Sequence, residues 1–133
     1  ETLSGSPAFR DILVEDIFDV LIPETGLAGG LTETKKIFDL IDVFGAGCTP
    51  HGFASVIGTA AAIHLAASHA PNPFTTGSES LPFEWTPPPL DRFGNLAIDP
   101  FQCVDGKVVV PIERPGLGVE IDRDVLRILS RTA

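Results

Sequence analysis

Proline punctuates this chain in a way that leaves few folds open. Residues 17–22 form a short apolar run that stops at Pro23, and residues 47–49 form a second that stops at Pro50. Residues 83–85 make a third, which runs into Pro87-Pro88-Pro89. Short apolar runs bounded in this way read as buried strands. A helical pattern stands before each of them. Ser6 and Pro7 make a helix start, with Phe9, Ile12 and Leu13 on one face of residues 8–14. Thr32 caps the clearest helix, in which Ile37, Leu40, Ile41 and Phe44 recur at i, i+3, i+4 and i+7, and Gly45 is its natural stop. Residues 59–68 form an Ala-rich helix that Pro71-Asn72-Pro73 ends.

Helix and strand in strict alternation predict an α/β fold with a parallel sheet. Such a sheet is covered on both faces or closed into a barrel. Three strands cannot close one, since an eight-stranded βα barrel takes about 250 residues. The chain has 133 residues, begins at Glu1 and contains no methionine. It is therefore expected to be a piece of a longer protein. The tail breaks the alternation: a turn at Val104-Asp105-Gly106 leads to a strand over residues 107–110. A loop-like Pro115-Gly116-Leu117-Gly118-Val119 follows, and Asp122 caps a last helix carrying Val125, Leu126 and Leu129. Residues 99–133 read as an appendage outside the sheet.

A formal charge of −9 argues against a nucleic-acid partner and against an anionic membrane surface. The longest apolar run, residues 59–67, is broken by His64 and is too short to span a membrane. No basic-then-apolar leader opens the sequence, and a cytoplasmic location is expected. The two cysteines, Cys48 and Cys103, are expected to be buried free thiols.

Active sites in βα barrels lie at the C-terminal ends of the strands. Glu24, His51 and Glu84 fall at those ends, and Glu1 precedes a helix where the end of an earlier strand would stand. The plainer alternatives are a solvated loop carboxylate for Glu24 and a structural loop histidine for His51. Glu84, between Phe83 and Trp85, sits in an apolar setting where a carboxylate needs a partner. His64 and His69 are five apart, which misses the spacing of a helical metal pair, and both read as structural. Glu33, Asp39 and Asp42 read as a solvated helix face. Gly29-Gly30 lacks the spacing of a nucleotide loop.

The order of motifs resembles the mandelate racemase/muconate lactonizing enzyme-like branch of the enolase superfamily. The series runs Asp19-Val20-Leu21-Ile22-Pro23-Glu24, Gly29-Gly30-Leu31-Thr32-Glu33, Lys36-Ile37, Pro50-His51 and Ala60-Ala61-Ala62-Ile63-His64-Leu65-Ala66-Ala67. It continues through Pro71-Asn72, Phe83-Glu84-Trp85, Val104-Asp105-Gly106 and Pro115-Gly116-Leu117-Gly118-Val119-Glu120-Ile121-Asp122. No single motif decides the matter; the collinear series does. The resemblance implies that residues 1–98 are the C-terminal part of a (β/α) TIM-type barrel, its last three to four βα units. Residues 99–133 would then be an appendage packed on that barrel or on a missing N-terminal cap domain.

The resemblance further implies a Mg²⁺ ion held by carboxylates at successive strand ends, with Glu1 matching one ligand. His51 matches the catalytic base, and Glu84 the carboxylate that hydrogen-bonds the substrate's ionised intermediate. Glu24 stands where the family has Asp, the partner that orients the histidine. Its extra methylene would displace the carboxylate by about 1.5 Å. Such groups suit removal of a proton next to a carboxylate, which leaves an enediolate. An imidazole titrates near the right pH for that work, and a carboxylate on its second nitrogen fixes the tautomer. Glu84, if kept protonated by its apolar neighbours, could donate a hydrogen bond to the enediolate.

The expected activity is a sugar-acid (aldonate or aldarate) dehydratase acting on a small-molecule carboxylate. The alternatives are a racemase or epimerase of a 2-hydroxy acid, and a non-catalytic homologue with a binding or structural role. A homo-oligomer is implied by resemblance alone.

Overall fold

The computed structural model describes residues 1–52, 55–69, 81–86, 96–99 and 101–132. Helix α1, Gly5–Val14, buries Phe9 and Leu13, one turn apart. It starts earlier than Ser6 because Pro7, lacking an N–H, is tolerated anywhere in a first turn. Strand β1, Val20–Leu21, leads through Pro23 to the one-turn helix α2, Thr25–Ala28. Gly29 and Gly30 then take φ of 118° and 86°, a region that glycine enters without a Cβ penalty. They turn the chain into α3, Leu31–Phe44, which ends at a left-handed Gly45 as expected.

Strand β2, Gly47–Cys48, pairs with β1 in parallel, with Val20 opposite Gly47 and Leu21 opposite Cys48. Backbone bonds carry the same alignment further in both directions. Gly47 N–H donates to Asp19 O (2.7 Å), Thr49 N–H to Leu21 O (3.1 Å) and His51 N–H to Pro23 O (3.1 Å). Both terminating prolines, Pro23 and Pro50, are fully buried. Helix α4, Val56–Ala67, is capped by the Ser55 hydroxyl, which accepts from Gly58 N–H. It buries Val56, Thr59, Ala60, Ala61, Ala62, Ile63 and Leu65, the pattern of a helix apolar nearly all round. The core of Phe9, Leu13, Leu21, Ala28, Ile37, Phe38, Ile41, Cys48 and Leu65 lies between the helices and the two parallel strands.

The structure corrects several expectations. The run 17–22 is not buried throughout: Ile17, Phe18 and Val20 are 62%, 56% and 51% exposed. Among the described residues β1 has one strand neighbour, so only Leu21 turns inward against the helices. The buried face of α3 is Thr34, Ile37, Phe38 and Ile41, while Phe44 is 44% exposed. The stripe has therefore rotated towards Phe38, and Thr34 joins it because its hydroxyl donates to Gly30 O (2.8 Å). The N-cap of α3 is Gly30, not Thr32.

Residues 83–85 form no strand. The segment 81–86 lies beside residues 49–52, but the contacts run through side chains, beginning with Thr49 Oγ1 donating to Pro82 O (2.8 Å). Pro82 has no N–H to offer a ladder. The proline runs at 71–73 and 87–89 lie outside the described residues.

The tail adds a second, smaller apolar cluster at the start of α4. Residues 96–98 lie antiparallel to 120–122, with Ile98 N–H on Glu120 O (3.0 Å) and Asp122 N–H on Leu96 O (2.8 Å). Strands β3, Cys103–Val104, and β4, Lys107–Val108, pair antiparallel. Asp105 and Gly106 between them both have positive φ, the demand of a two-residue hairpin turn. Helix α5, Arg123–Thr132, is capped by Asp122 Oδ1, which accepts from the N–H groups of Asp124 (2.9 Å) and Val125 (3.1 Å). Leu96, Ala97, Phe101, Val119, Ile121 and Leu129 gather around Val56 at the start of α4. No helix among the described residues is long and apolar enough to cross a membrane.

Candidate active site

The parallel register fixes where the polar residues go. The bond from His51 N–H to Pro23 O sets His51 beside the end of β1, with Glu24 the next residue along. Two of the expected residues thus follow neighbouring strands at the same end. The third arrives from segment 81–86. Glu84 Oε2 lies 2.6 Å from His51 Nδ1 and accepts from Gly52 N–H at 3.1 Å. The His51 side chain is 15% exposed and that of Glu84 48%.

Burial alone would push the Glu84 carboxyl up, but the Gly52 N–H, the His51 ring hydrogen bond and the His51 charge outweigh it. They hold the group below the usual carboxylate range. Phe83 and Trp85 lean on one another, ring centroids 6.5 Å apart, and leave Glu84 half open to water. Glu84 is therefore an ionised acceptor at neutral pH, not the protonated donor that an apolar pocket would have made.

Glu24 is engaged elsewhere. Its Oε2 accepts from Leu27 N–H at 2.5 Å, which makes it the N-cap of α2. The carboxylate that the structure sets on His51 Nδ1 is that of Glu84. Glu1 is exposed at the start of the chain, ahead of α1. Among the described residues, no group of three His, Cys, Asp or Glu side chains is arranged to hold a metal ion. A lone exposed carboxylate does not make a Mg²⁺ site, so these residues do not by themselves fit the ion.

The remaining candidates serve the fold. His64 Nε2 meets Leu117 O at 3.2 Å and ties the tail loop to α4. His69 is buried with its ring edge-on to Phe38, and its Nε2 is 2.9 Å from Asp42 Oδ2. That contact does not have the geometry of a hydrogen bond. Burial, and then the Asp42 charge, push the Cys48 thiol far up, which makes it inert. Cys103, expected to be buried, is exposed because it sits on the two-residue strand β3, of which both positions face water.

Two residues escaped the sequence reading. Glu33 is no idle surface group. Its Oε1 accepts from Ser6 N–H at 2.8 Å, and it clasps the first turn of α1 to that of α3. The Ser6 backbone bond, then the Ser6 hydroxyl and Lys36, hold its carboxyl down at about 2. Gly52 is the second. A Cβ there would lie 1.5 Å from Glu84 O. The glycine directly after His51 was its only visible signal.

Comparison with known proteins gives a consistent picture. A family model described as enolase C-terminal domain-like matches residues 1–125. A D-galactarolactone cycloisomerase from Agrobacterium fabrum is 30% identical over 95% of this chain and 33% of its own length. A D-galactonate dehydratase from Xanthomonas oryzae pv. oryzae is 31% identical over 90% of this chain and 30% of its own. The solved mandelate racemase/muconate lactonizing enzyme from Sulfitobacter sp. superposes with a TM-score of 0.76 at 30% identity, over 96% of this chain and 30% of that one. The chain spans about a third of the length of the curated relatives it matches.

Proposed function

The chain belongs to the enolase C-terminal domain-like family, and from that premise we propose that it is part of a Mg²⁺-dependent, cytoplasmic sugar-acid dehydratase. Residues 1–98 would be the closing part of the (β/α) barrel and residues 99–133 its appendage. The rest of the barrel and the cap would come from the remainder of a longer protein. The observation that carries this reading is the His51–Glu84 pair at 2.6 Å, where β2 gives out beside the end of β1. A carboxylate-backed imidazole beside the ends of two parallel strands supports this reading, because such barrels do their chemistry at strand ends. The likeness to a D-galactonate dehydratase supports the choice of an aldonate or aldarate substrate.

With Nδ1–H donated to Glu84, the basic nitrogen of a neutral His51 is Nε2. In the proposed reaction it takes the proton from the carbon beside the substrate carboxylate. The C–H electron pair then forms the enediolate. Collapse of that intermediate expels the β-hydroxyl, which leaves as water once it receives a proton, and the enol product relaxes to a 2-keto acid. His51 holding the abstracted proton is suited to return it to the departing hydroxyl. Most of the metal ligands would come from the remainder of the longer protein, with Glu1 the candidate among the described residues. A cycloisomerase is the second reading, favoured by the D-galactarolactone relative. A racemase or epimerase of a 2-hydroxy acid would begin with the same proton transfer.

The test is exchange of the α-proton for deuterium in D₂O, using the complete protein and a panel of aldonates and aldarates with Mg²⁺. Exchange followed by 2-keto acid formation is expected, and His51→Asn is expected to lower both by about 10²–10⁴-fold. Absence of exchange together with absence of Mg²⁺ binding would overturn the enzyme reading. Exchange with no loss of water would favour isomerase chemistry instead.

A further inference from the structure

Among the described residues, Glu24 and Glu84 are both candidates for orienting His51, and the backbone separates them. Glu24 is near, because Pro23 O holds His51 N–H at 3.1 Å. Yet its carboxylate folds back over its own helix. Oε2 sits 2.5 Å from Leu27 N, and Oε2 and Oε1 lie 3.1 and 3.4 Å from where a Cβ on Gly26 would be. Glu84 comes from a segment 32 residues beyond Gly52, and its Oε2 is gripped by adjacent residues, the His51 ring and the Gly52 N–H. The crossing is tight. A Cβ at position 52 would lie 1.5 Å from the Glu84 carbonyl oxygen and 2.5 Å from its carbon, separations that only covalently linked atoms reach. Thr49 Oγ1 pins the same segment through Pro82 O at 2.8 Å.

We infer that Glu84, clamped by Gly52, is the carboxylate that orients His51 in this chain, and that Glu24 has become a helix cap. Glu84 and Gly52 are then positioning residues: they act on the substrate only through the imidazole. Glycine at 52 does two things at once. Its missing side chain admits segment 81–86, and its N–H fixes the Glu84 oxygen that receives the Nδ1 proton. The inference rests on the reading of His51 as the proton-transfer residue but makes a separate statement about its tautomer.

The experiment is ¹⁵N NMR of the complete protein with labelled histidine, the His51 signals being assigned by their loss in His51→Asn. Wild type is expected to show His51 protonated at Nδ1 and unprotonated at Nε2 when neutral. Glu84→Ala and Gly52→Ala should each abolish that preference and slow α-proton exchange by about tenfold or more, the scale on which losing the carboxylate partner of a histidine is felt. Glu24→Ala should keep the Nδ1–H signal and lower only the unfolding midpoint. Survival of that signal in Glu84→Ala, or its loss in Glu24→Ala, would overturn the inference. Should Gly52→Ala not fold, the Glu84 and Glu24 variants decide alone. Undiminished exchange in His51→Asn would instead sink the functional reading and leave the pairing intact.

Discussion

The face that α3 turns to the core can be tested by a pair of phenylalanines. Phe38 is fully buried, with its ring edge-on to that of His69, while Phe44, six residues nearer the end, is 44% exposed. Truncating a buried phenylalanine to alanine costs about 3–5 kcal/mol, from lost transfer energy and the cavity left behind. Full burial of a phenylalanine stabilises by about 1.5–3 kcal/mol, and Phe44 realises little more than half of that, so Phe44→Ala should cost roughly 1 kcal/mol. Domains of this kind hold only about 5–15 kcal/mol in all, and Phe38→Ala can come close to unfolding the protein. Ile41→Val is the gentler probe of the same face. Ile41 is fully buried, and losing one methylene there should cost about 0.5–1.5 kcal/mol. The assay is urea unfolding followed by far-UV circular dichroism, compared between variants of unchanged m-value. Equal costs for Phe38→Ala and Phe44→Ala, or a neutral Ile41→Val, would refute the rotated stripe and restore the one that periodicity suggests.

The Ser6–Glu33 clasp should show in acid. Glu33 is held down at about 2 against an ordinary 4.5, so its contribution is complete above about pH 4.5 and fades as pH falls towards 2. The stability gap between wild type and Glu33→Gln should shrink over that window, and a gap constant with pH would count against the clasp. A thiol-reactive dye at pH 8 should label Cys103 quickly and leave Cys48 untouched until the protein is unfolded; prompt labelling of both would contradict the buried, pushed-up thiol. As a cap of α2, Glu24 should tolerate Asp, itself a good N-cap, whereas Glu24→Ala should lose about 1 kcal/mol. Equal losses for Asp and Ala would argue that the cap contributes nothing.

The parts of this fold that could be read from the residues are those set by nearest neighbours in the chain. Pro23 and Pro50 end their strands whatever packs around them, because neither can donate to a ladder. Gly45 stops α3, and Asp122 starts α5, through bonds that span four residues or fewer. The parallel pairing of β1 with β2 follows from the alternation with helices, and it puts His51 beside the end of β1 without further assumption. What could not be read depends on partners far away in sequence. The phase of the α3 stripe is decided by α1 and the strands, which favour Phe38 over Phe44. Glu33 looks solvated until Ser6 arrives from 27 residues away.

The candidate site divides along the same line, and the division has a physical origin. At Glu24 the carboxylate faces a choice of donors, and the Leu27 N–H takes it. The glutamate following Pro23 curls onto the N–H of Leu27, three residues on, one of the N–H groups at a helix start that have no partner within the helix. Once it has done so, the imidazole next to it needs another carboxylate. Among the described residues, the backbone that delivers one passes over position 52, where a Cβ would lie 1.5 Å from the Glu84 carbonyl oxygen. The sequence features Glu24, His51-Gly52 and Glu84 therefore form one linked set. A longer acid at the first position becomes compatible with a carboxylate-backed histidine because the residue after that histidine has no side chain.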